Sequence, residues 1–371
     1  MADTASSRPG RPASPTIRVR SASGLVACAP YLVGFTPHDS VVVVFLTRPP
    51  DRQVAVTLRI DLLGDDAKPA DRHQVLAHLA ESLDRAAGFG VDLDQAHVLV
   101  FSEDAAELPG SAVVMGLLEI LRERGIAIGE VLATTADRIW SYPTSDAPVS
   151  AAGEVIDQSE ALGVAFEMVS SGVGFAADRG VLESWLSAGV DDVVSQADLD
   201  AARRNRRSAC KTSAGAARWR RAMEEAVVAG MASDPPVAPA SADAAAWALA
   251  LADARVREPV MYRLFVEPSP RCRRERLARA RSWLCGLAAR VTGPDAAPAA
   301  ATLAAVAWQG GDGAFARIAA DHALRADPAN RLAALIGAAC VSGMPPATWA
   351  DVLATFSLAE LRDDRTEALA G

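Results

Sequence analysis

The chain has 371 residues, half of them hydrophobic and 22% charged, which excludes wholesale disorder and supplies about two ordinary cores at roughly 150 residues per domain. Its formal net charge of −9 argues against a general nucleic-acid coat protein. The longest run of large apolar residues, Val41 to Leu46, is far short of the ~20 residues that span a bilayer.

Residues 1–16 are rich in Ser, Pro and Arg and lack an apolar signal segment, so they read as a disordered tail on a cytosolic protein. From residue 17 to about 153 the pattern is that of an α/β domain. Val41 to Leu46 is apolar on both faces, as a central strand is. Val54, Val56, Leu58 and Ile60 alternate with Ala55, Thr57 and Arg59, so a half-buried strand follows, joined to the first by a hairpin over Thr47 to Gln53. Asp71 is placed to cap a helix carrying Val75, Leu76, Leu79 and Leu83 that stops at Gly88. His97 to Phe101 is a buried strand. Ser111 is placed to cap a second helix ending at Gly125, and Ile128 to Thr134 and Arg138 to Tyr142 are the last strands. The fold class predicted for this half is a mixed sheet with helices packed on it.

Strand signals stop after Pro143, and residues 144–153 read as a loop. A helical extension over 154–232 holds helices at Gln158 to Ser170, Arg179 to Leu186 and Asp198 to Met231, the last interrupted near Gly215. Residues 233–241 form a Pro-rich linker, because three prolines in five residues cannot continue a helix. Residues 242–371 read as an all-α, repeat-like region of short amphipathic helices.

Charge is distributed unevenly. Residues 201–290 carry 18 Lys+Arg against 8 Asp+Glu, and the rest of the chain carries 19 against 38. There are two lysines, Lys68 and Lys211, and 35 arginines, which with the heavy Ala content points to a GC-rich genome. Five dispersed cysteines without a C-x-x-C pair argue for reduced thiols.

Several stretches resemble a known family. They are Pro30-Tyr31-Leu32-Val33-Gly34-Phe35-Thr36-Pro37-His38-Asp39-Ser40 with the strand after it, Leu58 to Leu62, Arg138 to Tyr142, Trp308 to Ala314, and Asp327-Pro328. Together they are similar to an uncharacterised bacterial family, the domain of unknown function 4192, over about residues 17–355. The resemblance implies no activity. Many relatives carry cysteines just after the Trp-Ser-Tyr strand; residues 143–153 hold none here, which argues against a metal or thiol role at that point. A second resemblance covers Leu303, Ala304, Gly311, Asp312, Ala316, Ala323, Leu324, Asp327, Pro328 and Asn330, which fall in the register of one tetratricopeptide unit. Ser282, Ala289 and Pro294 echo it weakly 34 residues upstream. A plain helical hairpin explains the same residues.

No catalytic constellation is visible. His38-Asp39-Ser40 is not a triad, because adjacent residues rarely converge on one point. There is no G-x-S-x-G elbow, no phosphate-binding loop, and no Cys/His/Asp group with zinc spacing, so no cofactor and no metal are expected. Asp39 and Ser40 precede a buried strand, and their ordinary role is to bond backbone amides and fix a turn. Arg59 and Asp61 share one strand face, and with Arg138 they form a candidate anion-binding patch, the alternative being weak surface ion pairs. The ligand candidates are therefore Asp39, Ser40, Arg59, Asp61 and Arg138.

The second candidate is a basic patch of Arg203, Arg204, Arg206, Arg207, Arg218, Arg220 and Arg221, with Trp219 interleaved and Lys211 nearby. A further run spans Arg271, Arg273, Arg274, Arg276, Arg279 and Arg281 beside Trp283. Such residues engage nucleic-acid phosphates, an acidic partner, or the chain's own acidic regions. The leading expectation is a non-enzymatic cytosolic protein that binds a protein partner through its C-terminal helices. The alternatives are an enzyme or small-anion sensor on the α/β domain and, after these, nucleic-acid binding through the Arg-rich helices; no membrane association is expected.

Overall fold

Four consecutive valines, Val41 to Val44, form the inner part of β1 (Ser40–Leu46) and are buried on both faces. In the computed structural model, which describes residues 19, 21–50, 52–143, 152–170, 173–187, 193–233, 240–267 and 270–362, β1 pairs antiparallel with β2 (Val54–Asp61) on one side and with β3 (Gln95–Phe101) on the other. β3 runs parallel to β4 (Ala127–Thr134), and β5 (Arg138–Ser141) and β6 (Glu154–Val155) continue antiparallel. The six-stranded mixed sheet has the order β2-β1-β3-β4-β5-β6.

The side-chain period of two divides the sheet into two faces. Val41, Val43, Phe45, Val98, Val100, Val131, Ala133 and Trp140 face α2 (Pro69–Gly88) and α3 (Ser111–Glu123), which contribute Leu79, Leu83, Val114, Leu117, Leu118 and Leu121. Val42, Val44, Leu99, Leu132 and Ile139 point the other way and join a second apolar cluster. That cluster takes in α1 (Ala22–Val33) and continues without a break into the helical part of the chain.

Beyond β6 the described chain is helical apart from its connecting loops and the bridge residue Ala176. The helices are α4 (Gln158–Ser170), α5 (Arg179–Ser184), α6 (Gln196–Ala209), α7 (Ser213–Ala232), α8 (Ser241–Leu251), α9 (Ala254–Phe265) and α10 (Pro270–Arg290). There follow α11 (Ala297–Gln309), α12 (Gly313–Ala326), α13 (Arg331–Val341), α14 (Pro346–Ala354) and α15 (Leu358–Arg362). Helix α11 is buried from Ala299 to Trp308, so it is the central rod of this half. Its alanines let neighbouring helices approach closely.

Several expectations change in detail. Helix α1 is not expected from the pattern of residues, because it is apolar on nearly every side and Pro30 lies inside it. Strand β6 extends the sheet past Tyr142; two residues are too few to show a periodicity. Asp71 lies in the first turn of α2, whose N-cap is Lys68 without a side-chain bond. Ser111 is the first residue of α3, and Gly110 at φ +70° is its N-cap.

The long helical stretch does break, at Cys210 to Thr212, where the Thr212 hydroxyl accepts the Gly215 N–H at 3.1 Å. A side chain at Gly215 would lie 2.2 Å from the Ala209 carbonyl oxygen, so the tight turn between α6 and α7 requires glycine.

Helices α11 and α12 pack as a hairpin turned at Gly310 to Asp312, and Asp312 caps α12 through the Phe315 N–H at 2.9 Å. A unit 34 residues upstream needs a turn near Arg276 to Ala278, but those residues lie inside the uninterrupted 21-residue α10. The weak echo at Ser282, Ala289 and Pro294 is therefore not a second hairpin. The expected tail (1–16), most of the loop over 144–153 and most of the Pro-rich linker over 233–241 lie outside the described residues.

Candidate functional site

Ser40, Arg59 and Asp61 come together at the β1–β2 end, and they satisfy one another. The Arg59 Nε–H donates to Ser40 Oγ at 2.9 Å, and Arg59 Nη1 pairs with Asp61 Oδ1 at 2.6 Å. Ser40 donates to the His38 carbonyl at 2.5 Å, and the Phe35 ring lies 5.7 Å from the Arg59 guanidinium carbon. Asp39 sits at φ +40° and uses its backbone carbonyl, which accepts the Leu62 N–H at 2.8 Å. The turn is thus fixed by the Ser40 hydroxyl and the Asp39 backbone, rather than by side chains bonding amides.

Arg138 does not join this group. Arg59 pairs with Val42 and shares its face, whereas Arg138 shares the face of Trp140, on the other side of the sheet. Four strand steps also separate β2 from β5, about 19 Å at the usual spacing. Arg138 instead donates from Nη1 to the Ala152 carbonyl at 2.7 Å. The five residues do not line one patch, because pairing register puts Arg138 on the opposite face and strand order sets it four strands from β2, and the sequence shows neither.

The basic residues of α6 and α7 divide into two sets. Arg203 is paired with Asp200 at 2.8 Å and Asp295 at 2.5 Å. Arg206 and Arg220 converge on Asp253, at 3.5 and 3.0 Å, and Arg206 also lies 5.3 Å over the Trp219 ring. These three bind the helices to the chain's own carboxylates. Arg204, Arg207, Arg218 and Arg221 are exposed, and among the described residues they make no hydrogen bond or close ion pair, although the Arg204 charge acts on Asp200 one turn before it. Each pair has i, i+3 spacing and so occupies one helix face. In the second run, Arg281 pairs with Asp312 at 3.0 Å and Arg276 donates to the Arg263 carbonyl at 3.2 Å.

Arg218 and Arg221 lie on the wall of a cleft of about 300 Å³, together with Ala217, Arg220, Glu224, Arg255 and Arg362. Glu224 is 1% exposed and supports this wall from below. Its carboxylate accepts from Arg362 through Nε at 2.8 Å and Nη2 at 2.7 Å, and the Arg263 Nε lies 2.8 Å from Oε1. Burying a carboxylate is costly unless it is paired, and this one has two guanidiniums. Of the arginines on this wall, Arg220 is paired with Asp253 and Arg362 with Glu224, and the Glu225 and Glu267 charges also act on Arg362, so the positive potential of the cleft comes mainly from Arg218 and Arg221. Arg255 and Arg362 are absent from the sequence-derived candidates. Arg255 falls within the basic block, but Arg362 is 138 residues from Glu224 and only folding brings it here.

The family model described as "Domain of unknown function (DUF4192)" matches residues 23–347. The chain belongs to this family. No curated protein and no solved structure matches it. Two of the stretches that carry the DUF4192 resemblance meet in space. Gly34, at φ +88°, ends α1, and a Cβ there would lie 3.4 Å from Asp312 Oδ1 and 3.8 Å from the Ala314 Cβ. Phe35 forms an isolated bridge with Ala176. Arg281, bound to Asp312, lies 4.5 Å over the Phe315 ring, which meets Trp185 edge-on. In this DUF4192 chain the two motifs fasten the sheet to the α11–α12 hairpin.

Among the described residues, no group of three His, Cys, Asp or Glu side chains is arranged to hold a metal ion, and no helix is long and apolar enough to cross a membrane. Burial pushes the Cys28 and Cys340 thiols up to about 11, away from the thiolate that a nucleophile needs.

Proposed function

We propose that this DUF4192 protein is a non-enzymatic binding protein that docks an acidic segment of a protein partner on the basic face of α6 and α7. The observation that carries the reading is the set of four exposed arginines, Arg204, Arg207, Arg218 and Arg221, with no ion-pair partner among the described residues. Arg362 of α15 and Arg255 of α9 extend the face into the C-terminal helices. A protein segment suits it better than nucleic acid. Single-stranded nucleic acids use free aromatic platforms, and Trp219, the aromatic residue of the run, is packed on the core beneath Arg206. The α/β alternative is weaker because Ser40, Arg59 and Asp61 already neutralise one another.

We read α11–α12 as a single tetratricopeptide-type hairpin on the register of Gly311, Asp312, Ala316 and Ala323. Its role here is packing, since α11 is buried and offers no groove. Dispersed cysteines and Arg- and Ala-rich composition support a bacterial, cytoplasmic protein.

The test is fluorescence anisotropy of a labelled glutamate-rich decapeptide, with a single-stranded oligonucleotide of equal charge as comparator, at about 50 mM and 500 mM salt. The peptide is expected to bind at low salt and to weaken at high salt. The variant with Arg204, Arg207, Arg218 and Arg221 all changed to Ala is expected to lose it. Absence of peptide binding, or preference for the oligonucleotide, would overturn the reading.

A further inference from the structure

The charge arithmetic of the cleft carries a narrower conclusion. Both Glu224 oxygens are engaged, by Arg263 and by the Nε and Nη2 of Arg362, which leaves Arg362 Nη1 over, with the Glu225 and Glu267 charges acting on the same guanidinium without a direct bond. Asp253 is likewise taken by Arg206 and Arg220. Arg218 and Arg221 on the same wall have no ion-pair partner among the described residues. A carboxylate brings one negative charge and two oxygens, so it leaves such a wall under-neutralised. A phosphomonoester brings a charge of about −1.5 to −2 at pH 7 and three acceptor oxygens, and the planar guanidinium forks match its geometry.

Size and lining narrow the class further. The cleft volume of about 300 Å³ is at the lower end for ligand sites. Its lining residues are arginines, one alanine and one glutamate, with no aromatic side chain against which a nucleobase would stack. Arg362 is held in place by the bidentate Glu224 bond, so the site loses little side-chain entropy when it binds.

We infer that the arginine cleft between α7, α9 and α15 is a phosphomonoester site, with Arg218, Arg221 and Arg362 as its ligands and Glu224 as the residue that positions Arg362. The inference rests on the basic face being a docking surface and names the group recognised within it. That group is supplied either by a phosphorylated side chain of the docked segment or by a free phosphorylated metabolite.

The experiment is isothermal titration of the full chain with two glutamate-rich decapeptides, one with a central Ser and one with a central phosphoserine, and with free O-phosphoserine. The phosphorylated peptide is expected to bind at least tenfold more tightly. Arg218→Ala with Arg221→Ala is expected to abolish that difference. Arg204→Ala with Arg207→Ala is expected to weaken both peptides alike and to keep the ratio. All four positions are exposed, so the variants are expected to fold.

Free O-phosphoserine that binds as tightly as the phosphorylated peptide supports the site and makes the small molecule its source; weaker binding of the free amino acid supports a modified partner. Equal affinities for the two peptides would sink the phosphate site and leave the docking surface standing. A phosphate preference that survives loss of Arg218 and Arg221 would remove the site from this cleft. Binding of neither peptide would end both readings.

Discussion

His97 shows how burial and one hydrogen bond set a residue's charge. Its Nδ1 accepts the Glu130 N–H at 2.9 Å, which requires that nitrogen to be unprotonated. Burial holds the imidazole below its ordinary value of 6.5; the Glu130 charge opposes this and the Arg52 charge adds to it. A histidine whose folded pKa lies below its unfolded value favours the fold when neutral, and that contribution is lost as pH falls below about 6.5. His322 shifts in the same direction, by burial and then by Arg325. Glu258, raised by burial, has the opposite sign, so a comparison with a variant isolates the histidine. The urea midpoint is expected to drop between pH 7.5 and 5.5, and to drop less in His97→Gln. Equal drops in the two proteins would show that His97 does not carry the effect. The residue types of the basic patch were readable in the sequence, but which arginines remain unpaired was not. Arg203, Arg206 and Arg220 find Asp295 and Asp253, carboxylates up to 92 residues away.

At the scale of elements, boundaries follow caps and glycines, and long-range ties decide which short helices hold. The α6–α7 break is set by Thr212 and Gly215, a local signal that the sequence carries. Helix α15, five residues long, has no such autonomy. It is held by burial of Leu361 and by the Arg362–Glu224 pair. Removing one partner of a fully buried pair costs about 3–5 kcal/mol. Arg263 remains beside Glu224, and Arg362 is 24% exposed, so Arg362→Ala is expected to cost less, about 2 kcal/mol. Chemical denaturation measures that loss, and an unchanged midpoint would show that the pair does not hold the helix. Strands β1 to β5 were legible because valine runs and alternation are strong local signals. Helix α1 was not, because a segment apolar on nearly every side has no periodicity, and β6 was not, because two residues carry none.

The molecule as a whole has one apolar cluster running from Val42, Val44, Leu99 and Leu132 of the sheet, through α1, to Phe315 and Ile336 of the helical half. Packing shared in this way couples the two halves. The fluorescence of the tryptophans and the far-UV circular dichroism are expected to report one coincident urea transition. Leu132→Ala, a substitution at a position 1% exposed, is expected to cost about 2–5 kcal/mol and to lower both signals' midpoints together. Two separated transitions would show that sheet and helices unfold independently.

Composition, strand alternation and helix breaks by themselves determined the mixed sheet, the helix-rich second half and the concentration of positive charge over residues 201–290, because each is written in neighbouring residues. The tertiary structure alone decided that Arg59 and Arg138 face opposite sides of the sheet, that the 34-residue echo is one continuous helix, and that Arg362 reaches the wall built by α7. Those outcomes depend on the register of strand pairing and on contacts between distant segments, and such contacts leave no local period in the chain.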